Sequence, residues 1–287
     1  MKNRILCCLI VASVAFSFLA QSASFAAGGV NPLKSSNQQV KWKLRFTENF
    51  NGDKLNTKLF SRIPQGQSHW NRHMSMRDDL VVLKGGFINI LGVKNNDKSA
   101  DERDLLTGGI TTQGKFNIKY GKIEFRMKLE SNMGAWPAVW LMPEKPPVRW
   151  PGCGEIDILE RVNKDQFVYQ TVHTEWTQSH KEIPPSSGKP NIKPENWNVY
   201  AFEWYPDKLV WKINDKETFS YSRLSEDEQQ WPFNKPFYIM IDMQLGGDWS
   251  GPVEESTLPV SMTLDWIKFY DLYYGSRPVS EYSRPTK

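Results

Sequence analysis

Three carboxylates fall within the stretch GEIDILE, at Glu155, Asp157 and Glu160, and branched apolar residues separate them. In a regular strand alternate side chains share a face, so Glu155 and Asp157 point the same way and residue 159 should follow them. Residue 159 is Leu. One extra residue, taken up as a bulge around Ile158 and Leu159, returns Glu160 to the acidic face and leaves the apolar residues behind it. Without the bulge Glu160 points into the core, where an unpaired charge is costly or loses its ionisation. A solvated sheet edge would also tolerate three acids, but Ile156, Ile158 and Leu159 on the other side read as a central strand with a covered back.

Carboxyl groups so placed can divide acid and base work. Asp157 can share a proton or a hydrogen bond with a neighbour and hold it ionised, while like-charge repulsion raises the pKa of the other. Retaining cleavage of a glycosidic bond needs one ionised and one protonated carboxyl about 5 to 5.5 Å apart. Five residues of flat strand cover about 16 Å. This chemistry therefore predicts a bent strand lining a cleft, with two long Glu side chains leaning inward.

The elements that must hold such a strand are visible as alternating segments. VKWKLRF, LVVL, FINILGV, GKIEFRMKL, PAVWLM, FVYQTVHTEW, WNVYAFEW, KLVWKIN, FYIMIDM and SMTLDWIKFY recur with Gly, Pro, Asn or Asp between them. Only Ser222 to Gln230 resembles a helix, with Ser225 as a cap. Many strands and few helices predict an all-β fold, a two-sheet antiparallel β-sandwich with a concave cleft.

The chain has 287 residues and opens with Lys2 and Arg4, an apolar run from Ile5 to Ala20, and small residues including Ser24 and Ala26. Residues 1–26 read as a secretory signal peptide, the run being shorter than the ~20 residues a membrane span needs. Residues 27–39 read as a linker, 40–275 as one catalytic domain, and 276–287, with two prolines and several serines, as a loose tail. Cleavage removes Cys7 and Cys8, leaves Cys153 alone, and so excludes an intramolecular disulfide. Removing Lys2 and Arg4 from 36 basic residues leaves 34 against 32 acids, with no basic run of nucleic-acid type. Twelve Trp and ten Tyr exceed what an average core requires, which in an exported protein points to sugar stacking as well as core.

These residues resemble glycoside hydrolase family 16, the laminarinase, lichenase and agarase group of β-jelly-roll (concanavalin-like) enzymes. Its signature Glu-x-Asp-x-x-Glu stands here as Glu155, Asp157 and Glu160, in the longer, bulged form of laminarinase-like members. GKIEFRMKL, GAWPAVWLMP, TVHTEW, YAFEWYPDKLVWKIN, WPFNKPFYIMIDMQLGGDW and MTLDWIKFY are similar to the family's strands in their order, so the resemblance runs from Trp42 to Tyr270. It implies Glu155 as nucleophile, Asp157 as electrostatic helper and Glu160 as general acid/base. It also implies Trp136 and Trp140 on the sugar channel, His173 near the acid/base, and Gln244 and Trp249 on the far wall; core packing is the other reading for both Trp136 and Trp140. Trp150, just before the acidic strand, is expected either to stack on sugar or to pack its own loop. A structural calcium held by Glu48, a backbone oxygen at Gly85, and Asp265 comes from the same resemblance, with plain surface charge as the alternative; no cofactor is required for the chemistry.

One departure concerns the substrate. Where laminarinase-like members carry an Asn-Glu-rich stretch, this chain reads HWNRHMSMRDDLVVL, which puts Trp70, Asn71 and Arg72 at the donor wall. The resulting expectation is a secreted or periplasmic, monomeric, retaining endo-β-glycanase, with endo-1,3(4)-β-glucanase leading. An endo-β-1,4-galactosidase acting on galactose/N-acetylglucosamine glycans or agar-type galactans follows. A non-catalytic carbohydrate-binding protein and a transglycosylase are the remaining readings. The partner is a polysaccharide or glycan, with no nucleic acid and no membrane span in the mature chain.

Overall fold

The computed structural model describes residues 39–144, 148–180 and 183–283. The expected signal peptide, nearly all of the expected linker and residues 284–287 lie outside the described residues. The first strand, Val40–Glu48, opens where alternation begins in the sequence.

Two antiparallel sheets carry the fold. The back sheet runs in the order Lys216–Ser222, Lys208–Ile213, Asn198–Trp204, Gly121–Leu129, Val260–Tyr274, Phe87–Lys94 and Val81–Lys84, with Val40–Glu48 also paired to Val260–Tyr274. The front sheet runs Ser187–Gly188, Tyr169–His173, Glu155–Glu160, Ala135–Pro143, Phe237–Leu245, Gly109–Thr111 and Ser61–Arg62. The acidic strand is therefore interior to its sheet, as its apolar back requires.

Period-two patterning decides which side chains meet between the sheets. Gly121–Leu129 alternates buried and half-buried residues, placing Ile123, Phe125, Met127 and Leu129 inward. From the front sheet Ile156, Ile158, Leu159, Ile239, Ile241 and Met243 join the same cluster. Burying each such aliphatic side chain contributes about 1.5–3 kcal/mol. Phe237–Leu245 is buried along its whole length, because its core face is covered by the back sheet and its other face by the neighbours that line a cleft. Trp204, Trp211 and Trp231 are among the largest fully buried residues, whereas Trp70, Trp136, Trp140 and Trp150 line the cleft, so the tryptophan surplus divides between core and cleft.

Two sequence expectations change. Ser222 to Gln230 forms no helix: the strand Lys216–Ser222 ends there and turns follow, with the Gln230 amide donating to Tyr221 Oη and Ser222 O. The helix is instead Glu175–Ser179, at the end of what reads as one long strand; Thr174 caps it by accepting from Thr177 N–H. The tail is also less loose than its composition indicates. Arg277–Pro278 pairs with Tyr273 and Tyr274, and Glu281–Ser283 pairs with Asn117–Lys119, while Tyr282 stacks on Phe116. Aromatic contacts of this kind are invisible in a Pro- and Ser-rich composition.

Candidate active site

Pairing on both sides of Glu155–Glu160 slips in the middle. Against Tyr169–His173 the register jumps between Asp157 and Glu160, and against Ala135–Pro143 between Asp157 and Leu159. This is the bulge expected at Ile158 and Leu159. Ile156, Ile158 and Leu159 are each at most 1 % exposed in the core, while Glu155 and Glu160 both line a cleft of about 530 Å³. Gly154, just before the strand, has φ of +83°, and a Cβ there would lie 2.8 Å from Pro232 Cγ, so only glycine lets the chain enter the strand at this angle.

Each acid has its own donors. Trp150 Nε1–H donates to Glu155 Oε2 at 2.6 Å, and Trp136 Nε1–H donates to Glu160 Oε1 at 2.9 Å. His173 Nε2 lies 3.2 Å from Asp157 Oδ2, and Trp211 Nε1–H holds the Asp157 backbone oxygen at 2.9 Å from below. Burial, then the Asp157 charge, push the Glu155 carboxyl up to about 8, against the pull of His173 and Trp150. Burial raises Glu160 well above the usual carboxylate range, with Asp157 and Glu155 adding to the rise. The cluster therefore carries fewer charges than acids near neutral pH. Glu155 faces the imidazole side of the cluster, while Glu160 is 9 % exposed and accepts from Trp136.

The walls sort the remaining expectations. Trp136, Trp140 and Gln244 line the cleft, and so does Trp70, whose ring meets Trp140 edge-on at 4.9 Å. Trp249 is 43 % exposed and stands edge-on to both Trp136 and Tyr169 at 4.8 Å, forming a rim beside Glu160. Trp150, 53 % exposed, does more than stack or pack a loop, because its indole N–H reaches the Glu155 carboxyl.

His173 sits elsewhere than the resemblance implies. Antiparallel register places it across from Glu155, and Tyr169 across from Glu160, so its partner is Asp157 rather than the acid/base position. Asn71 also differs: its Oδ1 accepts Ser68 N–H and its side chain fills the space beside Gly66, so it shapes its own loop. Arg72 turns Nε toward His73 at 3.2 Å and brings Nη2 under the turn at Gly246, away from the cleft-lining set. Residues that sequence reasoning passed over are Met142, Tyr238, Met240 and Asp242. The last three alternate along FYIMIDMQL with Gln244, and that period was the available signal.

Two of the residues named for calcium have partners of their own. Glu48 Oε1 accepts Phe50 N–H at 3.0 Å and Oε2 accepts the Asn56 amide at 2.8 Å, while Asp265 is ion-paired with Arg126. Among the described residues, the one group of three acids or histidines close enough to share a metal is Glu155, Asp157 and His173 in the cleft.

The profile of glycosyl hydrolases family 16 matches residues 74–268. A keratan-sulfate endo-1,4-beta-galactosidase from Sphingobacterium multivorum is 30 % identical over 235 residues, covering 80 % of this chain and 56 % of that protein. The chain thus spans little more than half the length of that relative. A beta-glucanase from Rhodothermus marinus is 29 % identical over 194 residues, 63 % of this chain and 68 % of the glucanase. The crystal structure of a laminarinase from Flavobacterium sp. UMI-01 superposes with a TM-score of 0.71 at 29 % identity, covering 79 % of this chain and 100 % of that one. The bulged acidic strand, the two-sheet β-jelly roll that bends it, and a profile match across most of the chain agree, and the protein belongs to glycosyl hydrolases family 16.

Proposed function

We propose that this protein is an exported, retaining endo-β-glycanase with Glu155 as nucleophile and Glu160 as general acid/base. The observation that carries the reading is the bulge, which turns both glutamates to one cleft while sealing Leu159 in the core. In the first step Glu155 attacks the anomeric carbon as Glu160 protonates the departing glycosidic oxygen, and the sugar becomes an ester of Glu155. In the second, ionised Glu160 takes a proton from water, water oxygen bonds to the anomeric carbon, and Glu155 leaves with its electron pair. Asp157 and His173 balance the charge that moves on and off Glu155, and Trp150 and Trp136 orient the two carboxylates. Export rests on the Lys2/Arg4 and apolar N-terminal pattern.

A galactose-containing β-glycan is the preferred substrate. The wall joins Trp70 and Trp140 to Met142, Tyr238 and Met240, a broad apolar surface. An axial hydroxyl gathers the C–H groups of galactose on one face, and an N-acetyl group adds a methyl; both gain from such a wall more than an all-equatorial glucose does. The similarity to a keratan-sulfate endogalactosidase over 80 % of this chain supports the same choice. A β-glucan is the second reading, supported by the likeness to the Rhodothermus beta-glucanase and to the laminarinase structure.

The test is incubation with poly-N-acetyllactosamine, keratan sulfate, laminarin, mixed-linkage glucan and agarose, with product sizing and NMR of the first anomer released. Shorter oligosaccharides of retained configuration are expected, with turnover abolished in Glu155→Gln while oligosaccharide binding persists. Products longer than a defined starting oligosaccharide identify a transglycosylase instead. Binding without cleavage by the wild-type protein identifies a lectin-like role and sinks the glycanase reading.

A further inference from the structure

Asp242 is an acid placed where an acid is hard to keep. It is 0 % exposed, on the cleft-side face of Phe237–Leu245 that also carries Tyr238, Met240 and Gln244. Its cross-strand neighbours are the smallest available, Gly109 on one side and Ala138 on the other. A Cβ on Gly109 would come within 2.9 Å of Asp242 Cβ. Ala138 in turn pairs with Glu160, so Asp242, Ala138 and Glu160 form one row across three strands. Both Asp242 oxygens are engaged: Oδ2 accepts Trp140 Nε1–H at 2.7 Å, and Oδ1 accepts Gln244 Nε2–H at 2.7 Å.

We propose that Asp242 is a positioning residue for the glycanase: its two oxygens lock the Trp140 indole and the Gln244 amide, and so set what the cleft wall offers a sugar. A carboxylate only accepts, and an indole N–H only donates. While Asp242 is ionised, Gln244 must therefore turn its NH2 toward it, as the bond to Oδ1 shows, which leaves Oε1 facing away. That oxygen is buried and has no hydrogen-bond partner among the described residues. A buried acceptor without a donor is a standing cost, removed when a sugar hydroxyl or an acetamido N–H reaches it. Burial pushes the Asp242 carboxyl up to about 7 although both donors pull it down, so its charge changes in the working range, and that charge also bears on Glu160.

Asp242→Asn probes this without changing shape. The new amide can give its oxygen to only one partner, and because Trp140 cannot accept, its NH2 must face Gln244 and force that amide to flip. The flip presents NH2 where the wild type presents a carbonyl. The kinetic consequences rest on the glycanase reading; the spectroscopic ones do not. In 15N-resolved NMR of the wild type, the Trp140 indole N–H and the Gln244 amide should titrate together with one apparent pKa near neutrality, and both titrations should vanish in Asp242→Asn. Independent titration of the two signals, or their persistence in the variant, overturns the proposal.

On whichever of poly-N-acetyllactosamine or laminarin is cleaved, Asp242→Asn should raise KM about tenfold with kcat within threefold. The alkaline limb of kcat/KM should move to lower pH, because a negative charge near Glu160 is gone. A double cycle with Gln244→Met guards against a merely structural effect: the double variant should be no worse than Gln244→Met alone, whereas multiplied KM effects refute the coupling. If the wild type cleaves none of the five polymers named above, the glycanase reading fails by itself and the NMR arm still decides the positioning role.

Discussion

Replacing Trp136 with Phe removes the indole N–H and the fused ring that carries it, while an aromatic ring stays on the wall. The ring remains to meet Trp249 edge-on, but the 2.9 Å bond from the indole to Glu160 Oε1 is lost. That bond favours the ionised form of Glu160, opposing burial and the neighbouring acids that favour the protonated form. A hydrogen bond to a charged group contributes about 1.5–3 kcal/mol, and one pKa unit corresponds to about 1.4 kcal/mol, so Glu160 should rise by about one to two units. Glu160 is 9 % exposed, so solvent screens little of this. In its proposed role as general acid, Glu160 must be protonated in the step that governs kcat/KM, and activity falls as pH rises through its pKa. Raising the pKa therefore moves the alkaline limb of the profile up by about one to two pH units. Initial rates on the cleaved polysaccharide, measured across the alkaline range with Tm as a check on folding, read this directly. An unmoved limb, or one that moves down, refutes either the role of Glu160 or the control of its charge by Trp136.

Other outcomes follow from the same geometry. Trp150→Phe removes the donor to Glu155 Oε2, so the acid limb, which in the proposed mechanism requires ionised Glu155, should move up; Trp150 is 53 % exposed, and a shift under about one unit is expected. A downward shift contradicts the assignment. Gly154→Ala meets a φ of +83° and a contact with Pro232, and should lower stability by about 1–3 kcal/mol in urea unfolding, together with kcat. An unchanged unfolding midpoint would show that the strand entry relaxes freely. Asp242, raised from 3.8 to about 7 in the fold, contributes stability that is complete below its unfolded pKa and is lost as pH rises through about 7. Asp242→Asn should flatten that fall, which is on the order of 4 kcal/mol at most; a pH dependence of Tm equal to wild type between pH 4 and 8, on the scale of that titration, denies Asp242 its part.

Local pattern carried a great deal here. The spacing of Glu155, Asp157 and Glu160 against Ile156, Ile158 and Leu159 predicts the bulge, because one strand cannot keep two sets of side chains on opposite faces without taking up the extra residue. The alternation of GKIEFRMKL and its neighbours likewise yields the two-sheet sandwich, since period two is a property of each strand alone.

What pattern cannot contain is which strand lies beside which, and in what register. His173 belongs with Asp157 and Glu155 because Tyr169–His173 runs antiparallel to the acidic strand, and one residue of slip would have sent it to the other face. The order of strands puts Asp242 in a row with Ala138 and Glu160, though 82 residues separate Asp242 from Glu160 in the chain. Trp150 reaches Glu155 through a loop, and Asn71 turns inward to its own. The chain alone thus determined that three acids share a face and an apolar back. Tertiary structure alone decided which donors surround each acid, because hydrogen bonds between distant segments depend on pairing that no short stretch of sequence encodes.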